Sequence, residues 1–222
     1  MSAHLQRAIN RLMDQLVGLS AKVEDSVKRA VQALEEGDAE LARQVIKEDR
    51  VIDQREIDIE EECLKIFALH QPVAIDLRYL VAVLKINNDL ERIGDLAQNI
   101  SRHTLQILSE TTAGNPFDFQ EMYSRVRAML KRSLDAIVNL ETDSAHEILK
   151  ADDEVDRIHA QLSAEVLEEI RKTPKKASIL IQYIHIVRHL ERIADHTTNI
   201  AEDVIYLIEG EIVRHGHFFE EE

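Results

Sequence analysis

Glu91, Asp95 and Asn99 follow one another at intervals of four residues, and Glu191, Asp195 and Asn199 repeat the order one hundred residues later. Side chains four apart stack along one face of a helix, so each trio is a column of two carboxylates and an amide. Such oxygen donors suit hard divalent cations. An isolated helix gains nothing from them, because like charges at i and i+4 are mildly destabilising. Two readings are open: the columns are cation ligands, or they are solvated acidic faces balanced by Arg92 and Arg192. For one column the second reading would suffice; recurrence in both halves gives the first equal standing.

One helix face rarely completes a ligand set, so a second helix should contribute. The pairs Asp49/Asp53 and Asp152/Asp156 are the natural candidates, although in so acidic a chain they equally fit ordinary surface charges. His185, His189 and His196 run along one edge of the second column, and imidazole would favour iron, zinc or manganese over magnesium. Their counterparts in the first half are Lys85, Asp89 and Leu96, so partly exposed histidines on a long helix are the simpler reading.

The elements that carry these residues read as helices throughout. Apolar residues recur every three or four positions from Leu5 to Leu34, which predicts one long amphipathic helix ended by Gly37-Asp38. A second helix runs to about His70, where Gln71-Pro72 stops it, and a third spans about Ile75 to Glu110. Thr111 to Pro116 is the linker. The grammar then returns: a helix from about Phe119 to Leu140, a break capped by Asp143, a helix to about Lys172, then Thr173-Pro174 and a last helix to about Glu209. Leu90-Glu91-Arg92-Ile93-Gly94-Asp95 recurs as Leu190-Glu191-Arg192-Ile193-Ala194-Asp195, and Ala42, Lys47, Asp49 and Asp53 align with Ala145, Lys150, Asp152 and Asp156. The expected architecture is therefore all-α: two tandem homologous three-helix bundles, at 1–112 and 117–215, with six long antiparallel helices and an elongated shape. On the helical wheel, Ile86, Leu90, Ile93, Ala97 and Ile100 lie opposite the first column, so the column should face outward, and the second half gives the same count.

Composition narrows the function. A net charge of −15 disfavours nucleic acid and anionic membranes as partners. No apolar run spans a bilayer and the start has no signal-peptide core, so a cytoplasmic protein is expected. The single Cys63 forms no internal disulfide and no cysteine cluster for zinc. A di-iron carboxylate bundle needs paired Glu-x-x-His motifs, and the chain has none; its nearest item is Asp156-x-x-His159. Phosphate-binding Gly loops and nucleophile elbows are also missing, so no enzyme is expected.

At these residues the chain resembles the PhoU family of phosphate-transport regulators. The resemblance rests on His70-Gln71-Pro72-Val73-Ala74-Ile75-Asp76-Leu77-Arg78, on Asp89 to Asp95 with Asn99-Ile100, and on His189 to His196 with Asn199-Ile200-Ala201-Glu202. It departs at Ala194, where the first copy has Gly94, a change expected to matter little on a helix. The resemblance implies a negative regulator of the phosphate-starvation regulon and a modulator of Pst phosphate uptake. Such a protein is a cytoplasmic adaptor between the transporter, through its ATPase subunit PstB, and the sensor histidine kinase PhoR. It also implies surface metal clusters held by the Glu/Asp-x-x-x-Asp columns: Glu91, Asp95 and Asn99, Glu191, Asp195 and Asn199, then Asp49, Asp53, Asp152 and Asp156. The ion would be iron, zinc, manganese or magnesium, and a homodimer is the default assembly. A di-metal bundle enzyme and a purely structural helical scaffold are the alternatives. The terminal Gly216-His217-Phe218-Phe219-Glu220 suggests no role.

Overall fold

The computed structural model describes residues 3–111 and 114–210. They form six long helices: α1 (Ala3–Glu36), α2 (Ala39–His70), α3 (Ile75–Glu110), α4 (Gln120–Asn139), α5 (Thr142–Lys172) and α6 (Ala177–Glu209). A short 3-10 turn, Pro174–Lys176, leads into α6. Thr112, Ala113 and the segment Gly216 to Glu220 lie outside the described residues, as do the expected domain limits at 112 and 215.

The helix ends follow the chain's punctuation. Gly37 takes φ 65°, which lets the chain reverse after α1, and Asp38 accepts from the amides of Glu40 and Leu41 to cap α2. Asp38→Ala removes that cap and is expected to lower stability by about 1 kcal/mol, read as a shift in the urea midpoint. Gln71, in the left-handed region, closes α2 before Pro72. The α2–α3 turn carries a second positive φ at Ala74 and leaves Val73 and Ile75 exposed. Asp143 is not the cap expected of it: α5 starts at Thr142 with Glu141 in the cap position. Asp143 sits inside the first turn, where a carboxylate acts on the helix dipole instead.

Pairings between helices show that neighbours run antiparallel. Arg29 reaches Glu48 between α1 and α2, Gln98 reaches Asp49 between α3 and α2, and Arg132 and Arg125 reach Glu147 and Glu154 between α4 and α5. The first three helices form one unit and the last three another, and the most extensive contact in the molecule is α3 against α6. One apolar core runs through both units, from Leu12, Leu16 and Leu19 through Leu90 and Ile93 to Leu190 and Ile193.

The α3–α6 seam has an internal two-fold relation. Lys85 of α3 bonds Asp203 of α6 at 2.9 Å, and His103 of α3 stacks on His185 of α6 with ring centroids 5.0 Å apart. With the one-hundred-residue offset, Lys85 corresponds to His185 and His103 to Asp203. The same two positions thus meet at each end of the seam, once as an ion pair and once as stacked imidazoles.

Candidate metal centres

α3 is packed on several sides, which changes the surroundings of its carboxylate column. Gly94 and Gln98 lie against α2, while Lys85, Asp89 and His103 lie against α6. The column faces away from the apolar stripe but runs beside α2, so Glu91 exposes 23% and Asp95 41% of its side chain. The outward, solvated face expected from one helical wheel is therefore half-buried on the α2 side. A wheel registers one buried stripe and misses a second neighbour.

α2 delivers its two carboxylates to that edge. Asp49 is 3% exposed; its Oδ2 accepts from Gln98 Nε2 and its Oδ1 is buried without a partner. Burial raises the Asp49 carboxyl to about 7, reinforced by the charges of Asp53, Asp95 and Glu91. Burial likewise raises Glu91 and Asp53, each with Asp95 next in effect. The four expected carboxylates of the first half thus act on one another. Arg92 offsets part of their charge, 3.5 Å from Glu91 and 3.7 Å from Asp95. Asn99 turns its carbonyl to Arg102 at 3.0 Å.

The second half repeats the arrangement with less burial. Asp152 rises to about 6 through burial and the charges of Asp156 and Asp195. Glu191 and Asp195 are raised by burial as well. Asn199 reaches across the seam to Asp89 at 3.4 Å rather than up its own column. His185 and His189 are also drawn to the seam, stacked on His103, and His196 contacts Asp89 at 2.8 Å. These three histidines are therefore seam residues, of which His196 also acts on Asp195 of the second column. Burial and the nearby His103 lower the His189 imidazole to about 4.

Two residues that the column pattern did not bring forward belong to these clusters. Glu56 is coupled to Asp53 and Glu91, and His159 to Glu191 and Asp195. The offset that aligns Asp53 with Asp156 also aligns Glu56 with His159, so the repeat itself held the signal. Among the described residues, no three His, Cys, Asp or Glu side chains already converge as ligands on a point. Mutually repelling carboxylates splay apart, and a cation reverses the sign of that interaction.

A model of the PhoU domain matches residues 16–104 and again 119–204. The chain belongs to the PhoU family. A phosphate-specific transport system accessory protein PhoU homolog of Clostridium acetobutylicum is 34% identical over 92% of this chain and 94% of its own length. The crystal structure of PhoU from Pseudomonas aeruginosa superposes with a TM-score of 0.88 at 35% identity, covering 93% of this chain and 99% of that one. The phosphate transport system regulatory protein PhoU from Streptococcus pneumoniae gives 0.86 at 29%, covering 95% and 100%. The expected all-α tandem architecture holds, and each family match contains one acidic column and its α2 or α5 partner pair. Among the described residues, no helix is long and apolar enough to cross a membrane.

Proposed function

We propose that this PhoU-family chain is an accessory regulator of phosphate-specific transport, acting by binding rather than by catalysis. In this reading it is a cytoplasmic adaptor that joins the transporter, through the ATPase subunit PstB, to the sensor kinase PhoR and lowers expression of phosphate-starvation genes when phosphate is plentiful. Near-full-length likeness to proteins named for accessory and regulatory roles in phosphate transport supports it. A homodimer is the assembly we assign to it.

The observation that carries the mechanism is the doubled carboxylate cluster with the orphaned Asp49 oxygen. A buried carboxylate lacking a partner on one oxygen is costly to hold, and a ligating cation would satisfy it. The carboxylates suit such an ion: Asp49, Asp53, Glu91 and Asp95 in the first repeat and Asp152, Asp156, Glu191 and Asp195 in the second, with Asn99 and Asn199 turned to Arg102 and Asp89 instead. Iron, zinc, manganese and magnesium all accept oxygen ligands of this kind. A bound cation supplies positive charge that neutralises the acidic face. The surface then accepts an acidic partner that it otherwise repels, so metal gates assembly.

Replacing Glu91 and Glu191 by Gln and Asp95 and Asp195 by Asn tests the proposal in cells whose own copy is deleted. The expected result is full expression of a phosphate-starvation reporter in high phosphate, at normal protein levels. Unchanged repression would reduce the columns to surface and leave a helical scaffold.

A further inference from the structure

Four large apolar side chains are exposed at one tip of the first repeat. Leu69 lies in the last turn of α2, and Val73, Ile75 and Leu77 follow through the turn into α3; the first three expose 77%, 71% and 62% of their surface. Counted from Pro72 and Pro174, the second repeat has Lys175 where the first has Val73, and Ala177 where it has Ile75, so the duplication does not dictate the patch. The turn is held in shape. Gln71 and Ala74 take φ of 46° and 50°, in the left-handed region that residues with a Cβ enter only when their surroundings hold them there. The amides of Asp76 and Arg78 donate to the carbonyls of Val73 and Ala74 at 3.2 and 3.0 Å. A contiguous apolar patch on an ordered turn is a docking surface.

The charge beside the patch selects what docks. Arg78 has a buried Nε without a hydrogen-bond partner, and among the described residues no carboxylate pairs with it. A guanidinium so placed favours a carboxylate. Gly210, which ends α6 with φ 80°, lies directly against that guanidinium, where a Cβ would collide with Nη1. The chain continues from this point as Glu211-Ile212-Val213 and goes on to Phe218-Phe219-Glu220-Glu221-Glu222, two adjacent aromatic rings followed by three carboxylates. Arg78 is about one helical turn from Ile75, and the twelve residues after Gly210 span up to about 40 Å, so they reach the patch with slack. We propose that residues 211–222 are the occupant: Phe218 and Phe219 cover Leu69, Val73 and Ile75, and a carboxylate of Glu220, Glu221 or Glu222 pairs with Arg78. The tip of the first repeat is then a docking surface that carries its own cover, a role independent of any bound metal.

A thiol placed at the turn of the full-length chain by Val73→Cys tests it. The native Cys63 is fully buried and its thiol is pushed up to about 12, so it stays silent towards a thiol reagent. Adding Phe218→Ser/Phe219→Ser should speed labelling at position 73 by about tenfold. Adding Glu220→Gln/Glu221→Gln/Glu222→Gln instead should speed it by about threefold at low salt, and that gain should vanish in about 1 M NaCl. Ile75→Cys reads the same turn from α3 and should respond alike. Equal rates with and without the two phenylalanines overturn the inference: a shared fast rate leaves the patch bare, and a shared rate that falls as protein concentration rises puts a second copy on it. A glutamate variant that labels like its parent overturns the pairing with Arg78. Both reporter positions are exposed, and thermal melts that match the parent chain establish that the variants are folded.

Discussion

In metal-free protein at pH 8, Asp49→Asn is expected to raise stability by roughly 4 kcal/mol, even as it destroys the first candidate metal centre. The carboxyl titrates at about 7 in the folded state against 3.8 when solvated. A raised carboxyl binds a proton more readily in the folded than in the unfolded state. Its contribution is thus fully favourable below pH 4 and is lost as pH rises through 7. Asparagine keeps the shape, leaves an oxygen for Gln98 and carries no charge at any pH. The gain should shrink towards zero at pH 4, so urea unfolding in chelator at both pH values checks sign and slope together. With Mn2+ added the order reverses: wild type gains stability by ligand linkage and the variant gains less. A variant that is less stable than wild type at pH 8 without metal would show that Asp49 serves the packing rather than a ligand.

Lys85→Met is expected to cost about 2 kcal/mol, and Asp203→Asn distinctly less. The pair spans the seam at 2.9 Å, but its members are unequally placed: the Asp203 side chain is 5% exposed and the Lys85 side chain 36%. Removing the cation takes the counter-charge from a buried carboxylate, whereas removing the carboxylate leaves an ammonium that reaches water. Lys85 also lies 5.1 Å from the centre of the Tyr206 ring, an attraction lost only in the lysine variant. Urea midpoints of the two single variants give the comparison. A larger loss from Asp203→Asn would mean that the carboxylate's other interactions, not the ion pair, hold this end of the seam.

Helix extents were legible because Gly37, Pro72 and Pro174 interrupt otherwise continuous periodicity, and a helix must stop where a donor is missing or φ turns positive. The repeat was legible because Leu90 to Asp95 and Leu190 to Asp195 match without a gap. What stayed hidden depends on partners distant in sequence. Asp203 lies 118 residues from Lys85, and His196 lies 107 from Asp89. No local pattern announces such pairings. The half-burial of Glu91 had the same cause, since the second neighbour of α3 is invisible to a pattern drawn on α3 alone. At Gly94 the helix itself tolerates alanine, and only the packing reveals that a Cβ there would meet Ile52 of α2 at 3.1 Å.

The two-fold relation of the seam carries a consequence for ancestry. Were α3 and α6 identical helices of two separate copies, symmetry would force every contact to occur twice, so neither end of the seam could be altered without altering the other. Joining the copies into one chain removes that constraint. The ion pair Lys85–Asp203 and the stack His103–His185 are what independent drift at two formerly equivalent ends produces. Within one chain, a substitution at either end of the seam needs no matching change at the other.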